Sequence, residues 1–270
     1  MKNAFLCVLK SLGEKLCWIV MAWVAVLLCT LIVSPRTAAA GEPRTIIVSA
    51  AASLTNVMQS LGKDFEKQRA GVRVTFNFGS TGDLIAQMSQ GAPVDLFVSA
   101  SVKHMDQAQD KGLIVTQSRK IFAGNTLVLA KPAGGTIPLN GLRDLTSAQV
   151  ERIGIGKPET VPAGHYAKEA LLAAGLWNQV EGRLILGSSA RQVLDYLRRG
   201  EVDAALIYAT DAKVAKGQVV VVTELADSRI VYPVALAQTV GDREAATLFL
   251  DYLSTEAARA ILRDHGFLLP

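Results

Sequence analysis

The 270-residue sequence predicts an α/β protein of two lobes, each a mixed, mainly parallel sheet flanked by helices, behind an N-terminal export segment. Three observations carry the prediction. From residue 45 onward short β-rich runs alternate with amphipathic helical patterns, the rhythm of a parallel sheet covered on both faces. The rhythm halts in the turn-rich stretch KPAGGTIPLNG (residues 131–141) and then resumes, so there are two such units. Residues 41–270 number 230, enough for a large core or two lobes. Pattern alone does not fix the boundary between them.

The first forty residues differ from the rest. Lys2, Lys10 and Lys15 flank a 16-residue uncharged run, residues 18–33, and Ala38 and Ala40 form an A-x-A cleavage site. That combination reads as a secretory signal peptide cleaved after Ala40. A retained anchor would need about 18 or more apolar residues, and a lipoprotein cysteine at Cys29 is disfavoured by Leu28 before it. Cys7, Cys17 and Cys29 all fall in this segment, so the exported part holds no cysteine and no disulfide. The whole chain has a formal charge of +4, but residues 41–270 hold 24 basic and 23 acidic side chains, a net +1. With no long basic run and no basic–aromatic stripe, nucleic acid is excluded as a partner.

The elements follow in order. TIIVSA (45–50) reads as a strand, and Leu54, Val57, Met58, Leu61 and Phe65 then take helical spacing. VRVTFNF (72–78) is a strand, DLIAQMSQ (83–90) a short helix ended by Gly91, and VDLFVSA (94–100) a strand followed by a helix to about Lys111. NTLVLAKP (125–132) opens the second unit. ERIGIG (151–156) reads as a strand, and Ala167, Ala170, Leu171 and Ala174 mark a helix ended by Gly175. RLILG (183–187) is a strand, Val193, Leu194 and Leu197 mark a helix, and DAALIY (203–208) is another strand. QVVVVTEL and RIVYPVALAQ follow as two further β-rich runs, and residues 244–265 read as helical.

One arrangement recurs: strand, small or polar turn, helix. It occurs at Ser53 in VSAAASLTN, at Ser80, Thr81 and Gly82 in FNFGSTGDL, at Ala163 and Gly164 in VPAGHYAKEAL, and at Ser188, Ser189 and Ala190 in LGSSARQVL. A helix start presents unpartnered N–H groups and the positive end of a dipole, a ready site for an anion. Each serine also has a plainer reading as an N-cap, with Thr81 or Asp83 capping in GSTGD and Pro162 marking a first turn. Four such starts spread over both units favour a shared anion cradle. Tyr208, at the end of a buried-looking strand, can aim one O–H donor into a cleft. Arg191 is the one cation placed beside a helix start. His104, His165 and His265 stand in no metal-ligand spacing, and neither a G-x-S-x-G elbow nor a P-loop occurs. A donor set of neutral groups suits a fully ionised oxyanion.

At these motifs the chain resembles the periplasmic molybdate-binding proteins of ABC importers. The resemblance spans nearly all of residues 41–270 and rests on AAASLTNVM, GSTGDLIAQMSQGAPVDLFVSA, GNTLVLA, GKPETVPAGHYAKEAL, ALIYATDA, YPVALA and YLSTEAARAILRDHGF, in that order. It implies a two-lobed periplasmic binding protein fold closing over molybdate or tungstate, with no cofactor. The implied donors are Ser53 through its hydroxyl and N–H, Thr81 with Ser80 as the alternative, Ala163 and Ala190 through backbone N–H groups, and the Tyr208 hydroxyl. These hold molybdenum as its oxyanion, with no direct metal–ligand bond. Thr81, where the family has serine, keeps the hydroxyl and adds a methyl. The resemblance further implies one lobe of residues 41–123 plus 232–270 and another of residues 124–231, a monomer in the periplasm, and partners in an inner-membrane permease and its ATPase. The competing expectations are a binding protein of the same architecture for sulfate, phosphate or a chelated metal, an exported hydrolase using Ser53 or His165, and the effector domain of a regulator. The hydrolase lacks a placed base; the regulator lacks a DNA-binding segment.

Overall fold

A computed structural model describes residues 44–270, with the backbone alone for residues 226–229. The expected leader, with its cleavage site and all three cysteines, lies outside the described residues. The first half of the fold is β1 (Arg44–Ala51), a 3-10 turn (Ala52–Leu54), α1 (Thr55–Gln68), β2 (Val72–Gly79), α2 (Thr81–Ser89), β3 (Leu96–Val98) and α3 (Val102–Asp110). The long strand β4 (Lys120–Pro132) leads to the second half: β5 (Ile153–Gly156), α4 (Pro162–Ala173), α5 (Trp177–Val180), β6 (Leu184–Gly187), α6 (Ala190–Arg198), β7 (Ala204–Tyr208) and α7 (Ala209–Val214). The longest strand, β8 (Val219–Leu236), runs back, and α8 (Arg243–Tyr252) and α9 (Glu256–Asp264) complete the chain.

The strands form one sheet in the order β2-β1-β3-β8-β4-β7-β5-β6. β1, β2 and β3 are mutually parallel, and so are β5, β6 and β7. Between these triplets β8 and β4 run antiparallel to each other and to their outer neighbours. The pairing of β4 with β8 shifts register between Ile121 and Ala123, between Asn125 and Leu127, and between Leu129 and Ala130. Such irregularities bend a sheet, and here they fall where one parallel triplet gives way to the other.

The inner parallel strands β1, β5 and β7 read as apolar runs because both faces are covered. Ile46, Val48, Ala50, Ile153, Ile155, Leu206 and Tyr208 are all buried. On α1, Val57, Met58, Leu61 and Phe65 form the apolar stripe that their spacing predicts, and all are buried. Phe65 meets Phe249 at 5.0 Å and Tyr252 at 5.3 Å between ring centres, so α8 returns to pack on the first half. Tyr252 adds a hydrogen bond from its hydroxyl to Asp64 Oδ2 at 2.8 Å.

Three local differences separate the structure from the sequence expectations. The helical stretch 244–265 is two helices, because Thr255 caps α9: its Oγ1 accepts the Ala258 N–H at 3.3 Å. The β-rich runs QVVVVTEL and RIVYPVALAQ are one continuous strand, β8, since β4 pairs along both of them. The strand expected over 94–100 is shorter, Leu96–Val98, and at its start the buried Asp95 carboxylate accepts N–H groups from Ile47 and Gly241, each at 2.7 Å.

Candidate functional site

The parallel strands β1, β2, β5, β6 and β7 end in small residues or a tyrosine: Ala51, Gly79, Gly156, Gly187 and Tyr208. Each is followed at once, or after a short turn, by the start of a helix. Binding crevices in open α/β sheets lie beyond such carboxyl ends. Here they converge on a small cleft lined by Ala51, Ala52, Ser53, Gly79, Ser80, Thr81, Ala100, Val161, Pro162, Ala163, Ala190 and Tyr208. The structure thus brings Ser53, Ser80, Thr81, Ala163, Ala190 and Tyr208 to one place, from both halves of the sheet.

Glycine contacts set how closely the helices approach. A Cβ on Gly164, in the first turn of α4, would lie 1.9 Å from the Gly156 carbonyl oxygen, so only glycine lets that helix sit against the end of β5. Ala163 is the second residue of α4 and Ala190 the first of α6. Their N–H groups belong to the helical first turns that lack intrahelical acceptors. A Cβ on Gly82 would lie 2.9 Å from the Thr160 Cα, and the Gly82 N–H donates to the Thr160 carbonyl at 2.9 Å. This contact joins α2 to the turn before α4.

The serines divide into two kinds. Ser80, rather than Thr81 or Asp83, caps α2: its Oγ accepts the Asp83 N–H at 3.2 Å. Ser189 caps α6, accepting the Gln192 N–H at 3.2 Å, and the Ser188 N–H donates to Gln192 Oε1 at 2.6 Å. Thr81 Oγ1 accepts the Ala100 N–H at 3.4 Å. Ser53 caps nothing. It lies inside the 3-10 turn, and its buried Oγ has no hydrogen-bond partner. The Tyr208 hydroxyl is in the same condition. A buried hydroxyl without a partner costs about 1–3 kcal/mol. Two such atoms lie on the lining of one cleft, each a donor without an acceptor.

Beneath the cleft lies a polar network that sequence reading missed. The buried Asn125 donates through Nδ2 to Thr210 Oγ1 at 2.8 Å and to the Tyr232 hydroxyl at 2.9 Å. The Tyr232 ring stands 6.0 Å from that of Tyr208. Burial, then the neighbouring Tyr232, Tyr166 and Asp211, raise the Tyr208 pKa well above its ordinary value, so its hydroxyl stays protonated and remains a donor. Burial likewise raises Tyr232, opposed by Asn125 and by the Ser53 hydroxyl, which lies near it but outside hydrogen-bonding geometry. The signal for this network was the pair of polar residues, Asn125 and Tyr232, inside otherwise apolar strands.

The charged groups lie off the lining. Arg191, the one cation beside a helix start, sends Nη2 to Asn56 Oδ1 at 2.8 Å and stands 3.9 Å from Asp211 Oδ1. Burial raises the Asp211 carboxyl to about 6, with Arg191 opposing the shift and Asp195 adding to it. His165 Nε2 meets Glu169 Oε1 at 3.2 Å along α4. The contacts Ser101–His104 and Ser60–His265 lie outside the lining, and Ser53 has no base beside it. Among the described residues no cluster of His, Cys, Asp or Glu is arranged to hold a metal ion. Two larger hollows, of about 440 and 350 Å³, are more open, and neither contains a buried polar atom lacking a partner.

Comparison with known proteins agrees with this architecture. Residues 46–268 match the family described as bacterial extracellular solute-binding protein. The molybdate-binding protein ModA of Escherichia coli is 39% identical, over 82% of this chain and 88% of its own. That of Haemophilus influenzae is 37% identical, over 82% and 89%. Among solved structures, the periplasmic molybdate-binding protein of Azotobacter vinelandii superposes with a TM-score of 0.74 at 24% identity, covering 83% of this chain and 99% of that one. The sulfate-binding protein SubI of Mycobacterium tuberculosis gives 0.76 at 20% identity, covering 83% and 86%. At these identities the last two speak for the fold alone.

Proposed function

The chain belongs to the bacterial extracellular solute-binding proteins, and on that premise we propose that it captures molybdate, and tungstate with it, and delivers the anion to an inner-membrane permease and its ATPase. The observation that carries this reading is the pair of buried, unpartnered hydroxyls, Ser53 Oγ and Tyr208 Oη, on the lining of one cleft. Around them stand the Ser80 and Thr81 hydroxyls and the first-turn N–H groups of Ala163 and Ala190. Every one of these is a neutral donor. The Ser80 and Thr81 oxygens accept a backbone N–H each, which leaves both O–H groups available to donate.

The two halves of the fold act as lobes, with residues 41–123 and 232–270 in one and 124–231 in the other. The packing of α8 on α1 and the pairing of Ala123 with Tyr232 at the register shift support that division. Closing the lobes strips water from the anion, and charge-assisted hydrogen bonds offset the lost hydration. Sulfate is also a dianion, so charge does not separate it from molybdate. The longer metal–oxygen bonds of molybdate do so, by filling a cavity in which sulfate leaves the donors stretched. Phosphate carries a proton near neutral pH and needs an acceptor, which a lining of donors does not offer. The chain works as an exported monomer that binds and releases its cargo unchanged.

The experiment is mass spectrometry of the exported chain purified from molybdate-supplemented cells without added ligand. One molybdenum per chain is expected. Retained sulfate or phosphate in place of molybdenum would overturn the assignment.

A further inference from the structure

Arg191 stands between Asn56 and Asp211 just outside the cleft, and each of the three lies close in sequence to a lining residue: Asn56 to Ser53, Arg191 to Ala190 and Asp211 to Tyr208. They come from three elements, α1, α6 and α7, on both halves of the sheet. Asn56 is exposed at the rim, the Arg191 side chain is 24% exposed, and that of Asp211 is 1% exposed. One guanidinium nitrogen, Nη2, serves both neighbours, at 2.8 Å to Asn56 and at a loose 3.9 Å to Asp211 Oδ1. Asp211 Oδ2 is buried and has no hydrogen-bond partner. A buried carboxylate with a cation near it but not on it is incompletely satisfied. The carboxylate and the asparagine therefore compete for one cation.

We infer that Arg191 is a two-position latch that sets how long the bound anion is held: it grips Asn56 across the closed cleft and turns onto Asp211 when the cleft opens. The inference rests on the binding reading above. Opening breaks the Asn56 contact and frees the guanidinium to complete its pairing with Asp211 Oδ2. That second pairing offsets part of the cost of opening and keeps release fast enough to supply a transporter. Arg191 thus acts as a positioning residue that moves the balance between closed and open forms, and it is not a donor to the anion.

The latch predicts effects of opposite sign. Arg191→Ala and Asn56→Ala weaken the closed form, so molybdate release measured by stopped flow should quicken about three- to tenfold, as expected for one lost hydrogen bond to a charged group at a rim. Asp211→Asn removes the competing position and should slow release. The double variant N56A/R191A should release no faster than R191A alone, because both changes cut one contact. A second readout needs no ligand. The exported part has no cysteine, so spin labels at Lys63→Cys and Asn178→Cys, both exposed, report the distance between the halves. In the ligand-free protein R191A should lengthen the mean distance and D211N should shorten it.

If the wild type binds no molybdate while the label distances still move in opposite directions, the function assigned above is wrong and the latch stands. If molybdate binds but D211N and R191A both speed release, Asp211 merely props Arg191 and the two-position latch is wrong. Unchanged release rates together with unchanged distances would also overturn it.

Discussion

On the β1–β2 side of the cleft the proposed donors are chiefly side-chain hydroxyls, those of Ser53, Ser80 and Thr81. On the β5–β7 side they are the N–H groups of Ala163 and Ala190, with one hydroxyl from Tyr208. The first side can lose a donor by removal of a single oxygen. The second depends on where two helices begin, and so on Gly156 and Gly164, whose contact leaves no room for a Cβ. A further contrast lies within the first side. Ser80 spends its lone pair on a helix cap, whereas Ser53 has no partner at all. Lesions on the two sides should therefore separate binding from folding in different ways.

The largest effect is expected on the backbone side. Gly164→Ala would place a Cβ 1.9 Å from the Gly156 carbonyl oxygen and push the start of α4 away from β5. We expect a loss of about 3 kcal/mol in stability, at the upper end for overpacking, together with loss of anion binding; thermal unfolding and calorimetry measure both. An unchanged melting temperature would show that α4 is not held by that contact.

Next comes a pH effect from the charged group behind this side. Burial raises Asp211 from its ordinary 3.8 to about 6. A raised acid favours folding while it is protonated, so its contribution is complete below pH 3.8 and is lost as pH rises through about 6. Asp211→Asn removes that loss. The variant should gain up to about 3 kcal/mol over the wild type between pH 4 and pH 8, the linkage equivalent of the shift. Denaturant titrations at the two pH values give the difference, and a constant offset would contradict it.

The hydroxyls give smaller and cleaner effects. Ser53→Ala and Tyr208→Phe should each weaken molybdate binding by about 1–3 kcal/mol, since a ligand oxygen is left under-paired. Neither should destabilise the ligand-free protein through lost hydrogen bonds, because neither oxygen has one there. Ser80→Ala should show the reverse emphasis, with about 1 kcal/mol lost in stability from the missing cap. Equal stability losses in Ser53→Ala and Ser80→Ala would erase the distinction between the two serines.

Much of this was legible in the sequence because it is local. Apolar runs between helical stripes announced the parallel strands, and the small residues after them announced the helix starts that converge on the cleft. Whether a given serine caps a helix was not legible. Ser53, Ser80 and Ser189 stand in similar strings, and the distinction depends on whether the chain after each turns at once into an α-helix or first into a 3-10 turn. Contacts between distant residues were also beyond reach. Asn125 meets Tyr232 across 107 positions and Arg191 meets Asn56 across 135. Nothing in the sequence reveals Asn56 and Asp211 as the neighbours of Arg191. The division of helical residues 244–265 at Thr255 was missed for the opposite reason: the capping signal is local, but the apolar spacing runs on past it.

The most direct measurement is titration calorimetry of the exported chain with molybdate and with sulfate under the same conditions. The proposed molybdate site of neutral donors predicts one-to-one molybdate binding that is much tighter than sulfate binding. Sulfate binding as tightly as molybdate, or more tightly, would contradict it.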